Sequence, residues 1–206
     1  MKIKVSEIFQ SIQGEGKFSG YPMLFIRTYG CTRKCWFCDT LYSVVGDKYQ
    51  EVSVDKIVKI IKKSKFNCVV WTGGEPLLQR KAIEKVISKT RDYYHYLETN
   101  GDLLEEIDFY LFHYLAISPK EKKVAEKVRN LSLEFNPERW DIKVVSDLEK
   151  IGLDMIPYAT MLMPLTTFKK KKDIEICKKV WNYCVKNNIK FSSRLQTFIF
   201  GKKKGI

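Results

Sequence analysis

Short apolar, β-branched runs alternate along this chain with stretches of helical period, and that alternation narrows the folds open to it. Strand-like runs occupy Met23 to Tyr29, Cys68 to Trp71, Tyr94 to Glu98, Tyr114 to Ile117, Ile142 to Val145, Thr160 to Met163 and Phe191 to Leu195. Between them, Ser53 stands as an N-cap before Val54, Ile57, Val58 and Ile61, which share one helical face, and Ala82, Ile83, Val86 and Ile87 repeat the pattern. Two further helices are expected at Glu121 to Arg129 and Asp173 to Lys186. Strands that alternate with helices join by right-handed crossovers into a mainly parallel sheet, open or curled into a partial barrel. The expected class is therefore α/β, with 206 residues forming one domain, 1–206, and with function at the carboxyl ends of the strands.

Those ends carry the unusual residues. Gly30-Cys31 follows the first strand, Thr72-Gly73-Gly74-Glu75-Pro76 the second, Thr99-Asn100-Gly101 the third and Ser118-Pro119-Lys120 the fourth. Any one of these loops could be ordinary turn punctuation, since Gly and Pro are what βα turns demand. Four in register on one rim point to a site.

Cys31, Cys35 and Cys38 form Cys-x3-Cys-x2-Cys in the loop after the first strand, so three thiolates can converge on one inorganic centre. A closed structural zinc site takes four ligands, and His95, His113, Cys68, Cys177 and Cys184 are all distant in sequence. Three thiolates suit a 4Fe-4S cluster with one iron open to a small molecule; zinc completed by a distant residue and plain buried cysteines are the alternatives. Cys68, in an apolar run, and Cys177 and Cys184, on the last expected helix, read as core residues.

Composition excludes some classes. The longest apolar stretch, Phe109 to Ile117, is interrupted by His113 and falls far short of the roughly 18 residues of a membrane span. The first residues, Met1-Lys2-Ile3-Lys4, lack the apolar run of a secretory signal, so a cytoplasmic protein with reduced cysteines is expected. Lys and Arg number 37 against 24 Asp and Glu, a net charge of +13. That charge does not require RNA, because Lys and Glu enrichment also marks heat-adapted proteins, and no direct nucleic-acid binding is expected.

With Phe37 as the aromatic, Cys-x3-Cys-x-aromatic-Cys followed by Gly-Gly-Glu-Pro resembles the radical S-adenosylmethionine enzymes over the whole chain. Within that superfamily, Glu7 to Gly16 (Glu-Ile-Phe-Gln-Ser-Ile-Gln-Gly-Glu-Gly), Phe25-Ile26-Arg27, Cys38-Asp39-Thr40 and Thr72 to Gln79 are similar to the 7-carboxy-7-deazaguanine synthase family. The resemblance implies a partial (β/α) barrel of about six repeats with the cluster at its carboxyl-end rim. It also implies ring contraction of 6-carboxy-5,6,7,8-tetrahydropterin to 7-carboxy-7-deazaguanine with loss of ammonia, in the route to 7-deazapurines.

Residue roles follow from the same resemblance. Cys31, Cys35 and Cys38 would hold the cluster; Phe37, Cys38 and Asp39 would line the adenine of S-adenosylmethionine, and Gly73-Gly74-Glu75 would meet its amino group. Ser118, Pro119 and Lys120, and more loosely Met163 and Pro164, would face the same cofactor. Ile12, Gln13, Gly14, Glu15 and Thr72 would contact the pterin, Arg27 its carboxylate, and Thr40 a magnesium ion beside it. Ile206 would lie near the substrate, although isoleucine at the terminus departs from the family pattern; Arg194 and Gln196 fall in the last strand without an assigned role. Taken alone, Gln13-Gly14-Glu15-Gly16 could be a turn, Arg27 could point into solvent and Thr40 could cap a turn. Implied partners are a one-electron donor such as flavodoxin or ferredoxin and a second copy of the chain. An activase that makes a glycyl radical on a partner protein and a zinc-bearing basic RNA-binding module are the rival readings.

Overall fold

The described residues, 1–203 and Gly205, come from a computed structural model. In chain order the elements are β1 (Lys2–Ile12), β2 (Pro22–Thr28), β3 (Gln50–Ser53), α1 (Val54–Lys63), β4 (Cys68–Gly73), α2 (Arg80–Ser88), β5 (Tyr94–Thr99) and α3 (Glu106–Leu111), followed by β6 (Tyr114–Ile117), α4 (Lys122–Ser132), β7 (Trp140–Ser146), β8 (Met161–Pro164), α5 (Lys170–Asn187), β9 (Lys190–Phe191) and α6 (Leu195–Phe200). The strands make one sheet in the order β3-β1-β2-β4-β5-β6-β7-β8-β9. From β2 onward every neighbouring pair is parallel; β1 pairs antiparallel with both β2 and β3. The result is the expected α/β architecture, a partial barrel with a mostly parallel sheet.

Period-two alternation sorts the side chains to two faces. Leu24, Ile26, Val69, Trp71, Leu97 and Leu115 point outward and join Ile57, Ile61, Ile83, Val86 and Val128 of the helices in the main core. Met23, Phe25 and Val70 point inward, against Phe9, Phe18 and Tyr96. Continuing the inward alternation by two residues brings Arg27, Thr72 and Glu98 to the concave face at the carboxyl end. Ser53 caps α1 as expected, accepting from Lys56 N at 3.2 Å. On the outer face Trp71 Nε1 donates to His95 Nδ1 at 3.1 Å, and burial pushes His95 down to about 4, which keeps it a neutral core residue.

Three expectations change. The strand predicted over Phe191 to Leu195 stops at Phe191, and Leu195 opens α6. The chain leaves the sheet there because the 13–16 loop captures it: Leu195 N donates to Gly14 O at 3.0 Å and Ser192 Oγ accepts from Gly16 N at 2.9 Å. Arg194 and Gln196 therefore belong to a strap around the start of α6, not to a strand. In addition β1 and β3 extend the sheet by antiparallel pairing, which no alternation of strand and helix announces. Among the described residues no helix is long and apolar enough to cross a membrane.

Candidate active site

A cavity of about 510 Å3 opens at the carboxyl ends of the strands. Its lining brings together Ile12, Gln13, Gly14, Glu15, Arg27, Cys31, Cys35, Phe37, Cys38, Asp39, Thr40, Thr72, Gly73, Gly74, Ser118, Lys120 and Met163. The expected residues thus meet at one place from six segments of the chain. Pro119, Pro164 and Glu75 do not line it, and Ile206 lies outside the described residues.

One wall is the cysteine loop, which has no helix or strand of its own between Cys31 and Cys38. The loop is latched from outside: Arg33 forks onto Asp102 at 2.7 Å and also pairs with Glu121. Burial pushes the Cys31 and Cys35 thiols up, and hydrogen bonds from Arg33 N and the Asn100 amide pull against it at Cys31. Among the described residues no three Cys, His, Asp or Glu side chains are gathered into a ready metal cage. The donor set nonetheless fits a cluster that supplies its own bridging sulfide. Three soft thiols face one cavity, and Cys31 Sγ accepts from Arg33 N at 3.4 Å and Asn100 Nδ2 at 3.6 Å, which suits a thiolate better than a thiol.

Gly73 and Gly74 line the cavity and are also required by the packing of the chain itself. A Cβ on Gly74 would sit 1.9 Å from Gly30 O, and one on Gly73 would sit 2.3 Å from Thr28 O. The two loops interlock there, with Glu75 N donating to Gly30 O at 2.7 Å. Glu75 is fully buried and its carboxylate accepts from Leu77 N, Thr99 Oγ1 and Asn100 N at 3.1, 2.8 and 2.8 Å. Glu75 thus braces the loops through its protein donors, with Leu77 N and Thr99 Oγ1 on Oε1 and Asn100 N alone on Oε2.

A second wall is charged. Glu15 pairs with Lys143 Nζ at 2.5 Å and Arg194 Nε at 3.1 Å, and accepts from Gln196 Nε2 at 2.8 Å. Burial alone raises the Glu15 carboxyl, but the Lys143 ammonium and the Arg194 guanidinium outweigh it and hold the carboxyl well below the ordinary glutamate range. Arg194 also reaches Asp39, one residue beyond Cys38, and so ties the charged wall to the cysteine wall. Glu98 accepts from Gln13 Nε2 at 2.9 Å and Thr72 Oγ1 at 2.6 Å, and Arg27 Nε pairs with Glu7 at 3.1 Å. Lys120 donates to Ser118 Oγ at 2.8 Å, and burial lowers its amine to about 8.

Lys143 and Glu98 are parts of the site that residue patterns did not single out, while Asn100, in one of the four rim loops, and Arg194 were in view without a role. A charged residue in the middle of an apolar strand, as Lys143 is between Ile142 and Val144, is the signal that could have found one of them.

Comparison with known proteins agrees with this geometry. The model of the radical SAM superfamily matches residues 25–190. A 7-carboxy-7-deazaguanine synthase of Pyrobaculum aerophilum is 31% identical over 99% of this chain and 97% of its own. That of Thermoplasma acidophilum is 43% identical over a shorter alignment, 48% of this chain and about half the relative's length, 47%. In structure the chain is similar to QueE from Escherichia coli, with a TM-score of 0.59 and 18% identity over 93% of each chain, a likeness of fold. On the superfamily match and the near full-length identity, the chain belongs to the radical SAM superfamily and, within it, to the 7-carboxy-7-deazaguanine synthase family of lyases.

Proposed function

We propose that the cavity contracts the ring of 6-carboxy-5,6,7,8-tetrahydropterin to 7-carboxy-7-deazaguanine with release of ammonia, with all of residues 1–206 as one domain. The observation that carries this reading is the convergence of three thiols with carboxamide, carboxylate and guanidinium groups in the lining of one cavity. Cys31, Cys35 and Cys38 would hold a 4Fe-4S cluster, which together with S-adenosylmethionine would supply the radical chemistry. The protein's own work is to bind, orient and keep water out.

The division of labour follows from the partners each group already has. Glu7 engages Arg27 Nε, and the two terminal nitrogens are the fork assigned to the substrate carboxylate. Gln13 and Glu98, held together by their hydrogen bond, have a single partner on each acceptor oxygen and keep a second lone pair for the N–H-rich edge of the pterin, beside Ile12, Gly14 and Thr72. Glu15 serves as an anchor, since Lys143, Arg194 and Gln196 occupy its oxygens. Phe37 and Asp39 line the cofactor's side, where Lys120 offers a cation to its carboxylate or hydroxyl groups. Thr40 Oγ1, in the cavity lining and 3.7 Å from Cys38 Sγ, is the hard oxygen assigned to magnesium at the substrate carboxylate.

The reading includes a flavodoxin- or ferredoxin-like one-electron donor, a reducing cytoplasmic setting and a symmetric homodimer. The test is mass spectrometry of an anaerobic reaction of reconstituted protein with reductant, S-adenosylmethionine, magnesium and 6-carboxytetrahydropterin. The expected product is 7-carboxy-7-deazaguanine in excess over 5'-deoxyadenosine, because the cofactor is regenerated each turnover. 5'-Deoxyadenosine without that product would leave the radical chemistry standing and sink the substrate.

A further inference from the structure

Asn100 is fixed on every side. Its backbone N–H donates to Glu75 Oε2 at 2.8 Å, and its Oδ1 accepts from Asp102 N at 2.9 Å. Because a backbone N–H can only donate, the atom facing Asp102 is the oxygen, and the NH2 group necessarily points the other way. There it donates to Thr32 Oγ1 at 2.9 Å and to Cys31 Sγ at 3.6 Å. The residue is 8% exposed, at the wall of the cavity that Cys31 also lines. The fully buried Glu75 carboxylate thus sets the position of Asn100, and Asn100 in turn sets the direction of a donor aimed at a cysteine sulfur.

We infer that Asn100 is a positioning residue that eases reduction of the cluster, through the hydrogen bond from its side-chain amide to Cys31 Sγ. The inference rests on the proposed reading of Cys31 as a cluster ligand. The step concerned is the addition of one electron to the oxidised cluster, from dithionite in the laboratory or from the one-electron donor; no bond forms or breaks. A hydrogen bond to a ligating sulfur stabilises the more negative, reduced state and so favours uptake of that electron. The Arg33 N–H on the same sulfur is backbone, and side-chain substitution leaves it in place as a constant background.

The test is an anaerobic redox titration of the full-length reconstituted protein, read by the electron paramagnetic resonance signal of the reduced cluster. Asn100→Leu removes the donor, and Asn100→Asp replaces it with a negative acceptor. Both should lower the reduced-to-oxidised ratio at a fixed potential about tenfold, which for one electron corresponds to about 59 mV. Thr32→Val breaks the other bond of the same amide, and the Thr32 bond to Asp102, without touching the donor on Cys31; its ratio should stay at that of the unaltered protein. Unchanged ratios in the Asn100 variants, or an equal shift in Thr32→Val, would overturn the inference.

If the Asn100 variants fail to take up a cluster, the unaltered protein decides. With asparagine labelled with 15N at the side-chain amide, pulsed resonance of the reduced cluster should show a 15N coupling, and its absence overturns the proposal. An unaltered protein that binds no iron and sulfide on reconstitution overturns the cluster reading itself, an outcome distinct from both.

Discussion

The two walls of the cavity are built on opposite principles. The cysteine wall is irregular chain whose functional groups are thiols raised by burial, latched from behind by Arg33, Asp102, Glu75 and Asn100. The charged wall rises from β7 and from the strap at the start of α6, and its carboxylate is already compensated by a lysine, an arginine and a glutamine. One wall is organised so that a bound group completes it; the other is complete without one. Buried charge is tolerable only when paired, which is why the second wall must be preassembled, whereas thiols carry no such penalty while protonated.

Substitutions can break this contrast, beginning with the largest effect. Cys35→Ala should abolish cluster binding and with it all cleavage of S-adenosylmethionine, measured as iron and sulfide content and as 5'-deoxyadenosine, while the fold melts close to the unaltered protein. Full iron content with activity would reject the cluster wall.

Lys143→Met should act on stability instead. It leaves Glu15 short of a buried partner and should cost about 3 kcal/mol, the low end for a broken buried pair because Arg194 remains. The pH dependence has a defined sign. Glu15 is held below its ordinary value of 4.5 in the folded chain, so its stabilisation is present above that pH and is lost on acidification below it. Denaturation at pH 7 and pH 4 should show the variant losing less on acidification than the unaltered protein, and an equal loss in both would remove Glu15 as the cause.

Arg27→Ala probes the boundary between the walls. Removing the fork should lower ring-contraction turnover about 30-fold or more, corresponding to about 2 kcal/mol, with cluster content and 5'-deoxyadenosine formation retained. Turnover at the unaltered level would reject the carboxylate role. At the small end, Lys2→Ala removes an ion pair with Glu51 whose side chains are 64% and 48% exposed, and should cost below about 1 kcal/mol in thermal unfolding. A larger loss would mean that exposed pairs on this sheet edge rival the buried ones in the cavity.

Much of the architecture was legible because its causes are local. The α1 cap at Ser53, the shared face of Ile57 and Ile61, and the parallel strands β4 to β8 follow from period and capping within a few residues. The antiparallel additions β1 and β3 were less visible, since each is stabilised by a partner outside any βα unit. The strap at 192–196 is not legible as such because Phe191 and Leu195 bracket the segment like strand residues, while the hydrogen bonds that turn it out of the sheet are offered only by the folded 13–16 loop. Glu75 shows the same limit at the site: its residue type suggested an acceptor for an ammonium, while the bracing bonds from Leu77, Thr99 and Asn100 come from chain that only the fold brings to it.

The cysteine spacing, the glycine pair and the amphipathic helix faces are properties of neighbouring residues, and the sequence by itself determined them, along with the family they mark. What only the tertiary structure decided is the charged wall. Glu15 finds Lys143 across 128 residues and Arg194 across 179, and no local pattern can specify a pairing that exists only once the two ends of the chain close over the same cavity.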